Sequence, residues 1–152
     1  MTLTFDFQDG NGPVAAHQHP NGGGWVADIA YVAETAYVGP DARVYGNARV
    51  YDNGRVSGNA RVSGDARVYD YAQVSGNARV SGNGRVTGYA RVSGDARVYD
   101  YAQVSGNGRV TGYARVSGDT QVSGNAQVSG NARVSGNGRV SGYAQISSEM
   151  SG

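Results

Sequence analysis

Between Gly24 and Glu149 an aliphatic residue returns at every sixth position without one insertion: Val26, Val32, Val38, Val44 and onward to Val140, closing with Ile146. A short period held over 126 residues and 21 hexads belongs to solenoids, in which each repeat buries its apolar face only against its neighbours. In an extended segment side chains alternate, so each Val faces inward together with the Ala or Gly two places before it, and the residues flanking Val face outward. A unit such as Val62-Ser63-Gly64-Asp65-Ala66-Arg67 therefore supplies one short strand and one sharp bend. Gly falls two places after Val, and Asn, Asp or Tyr falls three places after. Asn and Asp tolerate a left-handed backbone better than other non-glycine residues, and they are expected to form the tight corner. Three units close a triangle of 18 residues, seven such coils use up the repeat, and at ~4.8 Å per stacked strand the rod is ~34 Å long.

Units of the form Val-Ser-Gly-Asn-Ala-Arg resemble the hexapeptide repeats of left-handed parallel β-helix proteins, with the aliphatic residue first and a small residue fifth. The chain resembles the highly regular bacterial and phage proteins of this type, which are often labelled acetyltransferases. One departure is that Ser, Thr or Tyr holds the second place here and Gly the third. The resemblance implies an all-β fold: a single-domain, left-handed, triangular parallel β-helix with an N-terminal cap strand and loop. The left hand comes from the resemblance alone, since parallel crossovers in general favour the right-handed form. The resemblance also implies what an acyl-coenzyme A-dependent member needs: a trimer, a catalytic His and a loop protruding from the coils. No His lies in these repeats and no loop interrupts them, so that activity is assigned to no residue and no cofactor is expected. A γ-type carbonic anhydrase needs three His ligands, whereas this chain has two His. The six-residue period also excludes calcium-binding nonapeptide repeats.

Residues 1–23 fall outside the period. Leu3, Phe5 and Phe7 alternate with Thr2, Thr4 and Asp6, as in a half-buried strand, and Asp9-Gly10-Asn11-Gly12-Pro13 marks a turn. Solenoid ends expose core and unpaired backbone, so this segment is expected to be a cap; 24–149 is the solenoid and 150–152 a short tail. His17 and His19 could supply two metal ligands, with Asp9 or Asp28 completing a site. The plainer reading, a polar loop beside Pro20, is preferred, and no metal is expected. The first residues lack a basic start and an apolar run, so no signal peptide is visible. No window approaches the length of a membrane span. Compartment is left unassigned, because the chain has no Cys from which to read a redox environment.

Net charge is +1, too little for a long-range field toward nucleic acid, and no nucleic-acid motif is present. All 13 basic residues are Arg. Taking every third hexad sorts them into columns. One face carries Arg43, Arg61, Arg79, Arg97, Arg115 and Arg133; the second carries Arg49, Arg67, Arg85, Gln103, Gln121 and Arg139; the third carries Arg55, Gln73, Arg91, Arg109, Gln127 and Gln145. Guanidinium planes stack where ammonium groups repel, which accounts for the exclusive use of Arg. The six-rung column reads first as a solvated ladder whose stems cover neighbouring backbone, because corner carboxylates such as Asp65, Asp95 and Asp119 are expected to offset its charge. The sharper reading is a candidate interaction surface for an anionic ligand.

Five corners carry Tyr instead of Asn or Asp: Tyr71, Tyr89, Tyr101, Tyr113 and Tyr143. Tyr71 and Tyr89 lie one coil apart on one edge and are expected to stack. Tyr and Arg are enriched at interfaces, so these corners join the Arg column as candidate contact surface. In the first coil Trp25, Tyr31 and Tyr37 place one aromatic on each face. With Phe5, Phe7, Ile146 and Met150 they are candidate cap or assembly contacts. The last coil shows no protecting segment, and an open sheet edge invites another chain. The expectation is a non-enzymatic, self-assembling structural solenoid, a fibre or scaffold subunit present as a filament or trimer. The alternatives are a module binding an anionic ligand along the Arg and Tyr ladders, and an acyltransferase-like protein.

Overall fold

In the computed structural model of the chain, residues 3–147 and the backbone of 150 and 151 are described. The repeat forms strands of two or three residues, one per hexad, running from Trp25–Ala27 to Gln145–Ile146. Successive strands go to three different sheets in turn, so each strand pairs in parallel with the strand one full coil away. Val80 thus lies between Val62 and Val98, and Val74 between Val56 and Val92, which gives the 18-residue coil and about seven turns. The sheets contain ten, seven and seven strands. No helix long and apolar enough to cross a membrane occurs among the described residues.

Backbone bonding between coils keeps one constant offset. Ser75 N–H donates to the Val92 carbonyl, Asn77 to Gly94 and Arg79 to Ala96, each 17 residues further on. The same offset holds from Tyr31, bonded to Ala48, through to Ser129, bonded to Ile146. Within a corner, Ala78 N–H closes a turn on the Ser75 carbonyl at 3.2 Å. The interior is uniform: the hexad valines other than Val32, and the small residues facing them, are buried, most of them with no exposure at all.

The corner departs from the sequence expectation. The left-handed residue is the Gly two places after Val, with φ of 65° at Gly76 and 67° at Gly94, and not the Asn or Asp that follows it. This is the first central position of the turn, where a positive φ calls for Gly. Stacking favours Gly a second time. A Cβ placed on Gly76 would meet the backbone N of Gly94 at 3.0 Å. Where Asp replaces Gly in this position, at Asp52, Asp70 and Asp100, φ is still positive. Two of the three carboxylates compensate, since Asp70 accepts from Gly88 N–H and Asp100 from Gly118 N–H, both at 3.1 Å.

The N-terminal segment is an antiparallel hairpin. Its strands β1 (Thr4–Asp6) and β2 (Pro13–Gln18) pair Phe5 with Val14, and β2 pairs antiparallel with β3 (Trp25–Ala27), His17 facing Val26. The first sheet is thereby closed at this end. Residues 19–24 cover the third sheet: Gly24 N–H donates to Val38 and Val38 N–H to Asn21. The second sheet keeps its first strand less covered, with Val32 half-buried. Leu3, aligned with Phe5 and Phe7 in the sequence, is 52% exposed, whereas Phe7 is buried. At the other end, the strand Met150–Ser151 pairs with the first sheet through Val134 and Met150. That step is 16 residues instead of 18, so the tail joins the sheet without continuing the period. The edge expected to be open is therefore occupied on the first sheet, while Ala144 is exposed and Ile146 half-buried.

Two substitution sets test this account of the core and corners. Gly94→Ala places a Cβ 3.0 Å from the Gly112 backbone, whereas Gly142→Ala meets nothing within 4 Å. Both incur left-handed strain of about 1–2 kcal/mol, and Gly94→Ala is expected to cost about 1 kcal/mol more from overpacking. Gly94→Asp is expected to be milder than Gly94→Ala, and denaturant midpoints rank the three. Thr120, fully buried where its neighbours have Ala or Gly, has a hydroxyl with no hydrogen-bond partner. Thr120→Ala is expected to raise stability by about 1 kcal/mol, read from the same unfolding curves.

Candidate functional site

The outer surface carries what the core does not specify. In the first sheet the residue before each Val faces outward, and strand register stacks these residues in one line: Trp25 beside Arg43, then Arg61, Arg79, Arg97, Arg115 and Arg133. At ~4.8 Å per rung, unit charges repel by about 1 kcal/mol per neighbouring pair even in water. The corner carboxylates make no direct contact with this column. Among the described residues the only salt bridge is His17 to Asp28, and no Arg lies within 4.0 Å of an Asp or Glu oxygen. The acids sit on the corners and the arginines on the flat faces, so similar numbers of each sign do not become pairs. Arg79, Ser81, Arg97, Tyr99 and Arg115 line a shallow groove of about 370 Å³ on this face.

Arg43 belongs to the column by register but not by environment. Phe5 lies over it, with the guanidinium carbon 5.0 Å from the ring centre, and its Nη1 is buried without a partner. The hairpin thus folds back over the outer face of the first sheet. Phe5 stacks on Trp25 at 4.8 Å and Phe7 on Tyr45 at 5.0 Å. Tyr45, not singled out from the sequence, is the seat for Phe7. A bulky outward side chain in the second coil, within reach of an alternating Phe pair, was the available signal.

The other first-coil aromatics differ. Tyr37 is half-buried with Arg55 5.3 Å from its ring centre, whereas Tyr31 is 55% exposed on the less covered sheet. Ile146 is half-buried, and the Met150 side chain lies outside what is described. All five corner tyrosines are exposed, from 54% at Tyr71 to 83% at Tyr143. Tyr71 and Tyr89 stack nearly parallel, 5.2 Å apart with 5° between ring planes. Tyr101 and Tyr113 stand on the other two edges. A groove of about 470 Å³ runs beside the stacked pair, with Tyr37, Arg55, Gln73 and Arg91 on its floor. A second stack, Tyr51 on Tyr69 at 4.7 Å, was not anticipated. Burial first, and the neighbouring Tyr69 second, push the Tyr51 hydroxyl pKa up.

The two histidines are separated in role. His17 Nδ1 meets Asp28 Oδ1 at 2.8 Å, while the buried His19 donates from Nε2 to the Ala36 carbonyl at 2.8 Å. Asp9 is held by Asn11, whose backbone N–H bond is the main cause of its lowered pKa. Among the described residues no three His, Cys, Asp or Glu side chains gather as a metal site would require.

The docking of the hairpin can be read from the only Trp in the chain. Phe5→Ala is expected to expose Trp25 and red-shift its emission. The solenoid transition should survive, with a loss of about 3 kcal/mol or less, since Phe5 is only partly buried. Unchanged emission would contradict the stacked contact.

Comparison with known proteins reaches the fold and the repeat. Two solved structures resemble the chain: PerB from Caulobacter crescentus in complex with CoA and GDP-perosamine (15% identity, TM-score 0.49), and a mutant of perosamine N-acetyltransferase from the same organism (14% identity, TM-score 0.38). They match 83% and 84% of this chain, which spans only 56% and 52% of theirs. No curated protein matches it. The YdcK beta solenoid repeat matches six times, at residues 42–58, 54–70, 72–88, 90–103, 102–118 and 126–142. These segments cover more than half of the sequence, and the chain belongs to the YdcK beta solenoid repeat family.

Proposed function

We propose that the chain is a non-enzymatic structural solenoid, a scaffold or fibre subunit that associates with further copies of itself along its outer columns. The observation that carries this reading is the Tyr71–Tyr89 stack. The two rings are ordered against one another at 5.2 Å, yet each is more than half exposed. Nothing in the protomer needs aromatic residues at a corner that Asn53, Asn107 and Asn125 fill equally well on the same edge. Exposed Tyr with two rotatable side-chain angles suits an interface, where it buries large area at low entropic cost. A rigid rod with a uniform core presents such groups at fixed spacing, which favours repeated lateral contact.

The alternative of an acyltransferase finds less support in the residues. Both histidines lie in the N-terminal segment and are engaged, His17 with Asp28 and His19 with the Ala36 carbonyl. The likeness to perosamine N-acetyltransferase is too low in TM-score and identity to move that activity onto this chain.

The test is sedimentation velocity over a wide dilution series. Wild-type mass is expected to rise with concentration. Tyr71→Asn with Tyr89→Asn installs the residue found at the equivalent corners, so the fold is retained, and it is expected to weaken association by about tenfold or more. A single protomer mass for both proteins at every concentration would overturn the proposal.

A further inference from the structure

We propose that the first sheet is a binding track for a linear acidic polysaccharide, held by Arg61, Arg79, Arg97, Arg115 and Arg133. This face lies across the triangular rod from the Tyr71–Tyr89 edge, so the inference stands independently of self-association.

Four observations carry it. The five arginines occupy successive rungs in register, whereas Gln interrupts the columns of the other two sheets. Arg79, Arg97 and Arg133 are exposed and Arg61 and Arg115 half-buried, and no carboxylate lies within 4.0 Å of them among the described residues. The hairpin closes one end of the track by covering Arg43 with Phe5. Finally, the groove at the middle of the track adds hydroxyls to the cations: Ser81 and Tyr99 lie among Arg79, Arg97 and Arg115.

A line of like charges at ~4.8 Å spacing with no carboxylate in contact is relieved best by a ligand that is itself a line of anions, because each guanidinium then gains a charge-assisted hydrogen bond. The hydroxyls between the rungs match the hydroxyls of a sugar chain. A nucleic acid strand fits less well, since single strands are held on repeated aromatic platforms and this groove offers one Tyr. Carboxylate and sulfate both satisfy the guanidinium fork, so the shared chemistry is an anionic group repeated along a glycan.

The experiment titrates the full chain by calorimetry with a polyuronate oligosaccharide and, separately, with a sulfated one, over a series of salt concentrations. A neutral glucan and single-stranded DNA serve as competitors. Arg79→Gln/Arg97→Gln/Arg115→Gln puts on the first sheet the residue that the other sheets already carry at the same position, so folding is retained. Arg49→Gln/Arg67→Gln/Arg85→Gln makes the same charge change on the second sheet. Affinity for an acidic glycan is expected to fall as salt rises. The first triple variant should lose about tenfold or more and flatten the salt dependence, while the second stays within about twofold of wild type. Tighter binding of the uronate or of the sulfated chain supports the proposal in either case and identifies the anion. Equal losses in the two triple variants, no binding of either acidic glycan at low salt, or tighter binding of the neutral glucan or of DNA would overturn it.

Discussion

The structure depends on a coil-to-coil backbone hydrogen bond that, from Tyr31 to Ser129, recurs with its acceptor 17 residues ahead. Ser75 to Val92, Asn77 to Gly94 and Arg79 to Ala96 repeat one geometry, and that geometry holds only if every coil contains the same number of residues and turns its corners the same way. Corner glycines enforce this condition. At Gly94 the neighbouring backbone of Gly112 would stand 3.0 Å from any added Cβ, so the coils stack with no space between corner backbones. Buried valines then align directly above one another, Val80 between Val62 and Val98. Hydrophobic burial supplies the driving force, but the register of the backbone decides where each side chain sits.

A consequence is that inside and outside are decoupled. Inward positions accept Val with Ala or Gly almost without exception, and Thr120 is a departure with a stranded hydroxyl. Outward positions experience little packing constraint, and there the three sheets differ. One has arginine on every rung from Arg43 to Arg133, one edge has stacked tyrosines, and the first two coils of the Arg face are covered by the hairpin. The rod is a ruler that holds these groups at multiples of one rung. Its surface chemistry changes without cost to the core, which is why both the proposed contacts use outward residues alone.

Much of this was legible in the sequence because a six-residue period translates directly into geometry. The Arg column and the Tyr71–Tyr89 stack follow from counting in eighteens. The left-handed corner was misplaced for a physical reason: Gly and Asn are adjacent and both tolerate positive φ. Only the distance between stacked corners, invisible in one hexad, disfavours a Cβ at the first of them, and Asp52, Asp70 and Asp100 are the departures. Counting Asp65, Asp95 and Asp119 against the arginines gives the balance of charge but not contact, since no Arg lies within 4.0 Å of a carboxylate oxygen among the described residues. The hairpin's course over Trp25, Arg43 and Tyr45 rests on contacts between residues about 20 to 40 apart. Such contacts leave no periodic trace.

The most direct test of the account is detection of scalar couplings across hydrogen bonds by NMR, which connect a donor nitrogen with the carbonyl carbon it bonds. The structure predicts correlations from Ser75 N to the Val92 carbonyl, from Asn77 to Gly94 and from Arg79 to Ala96, with the same 17-residue step recurring along the rod. Correlations from these donors to carbonyls at other steps, or a step that drifts from coil to coil, would contradict the stacked solenoid and every surface column read from it.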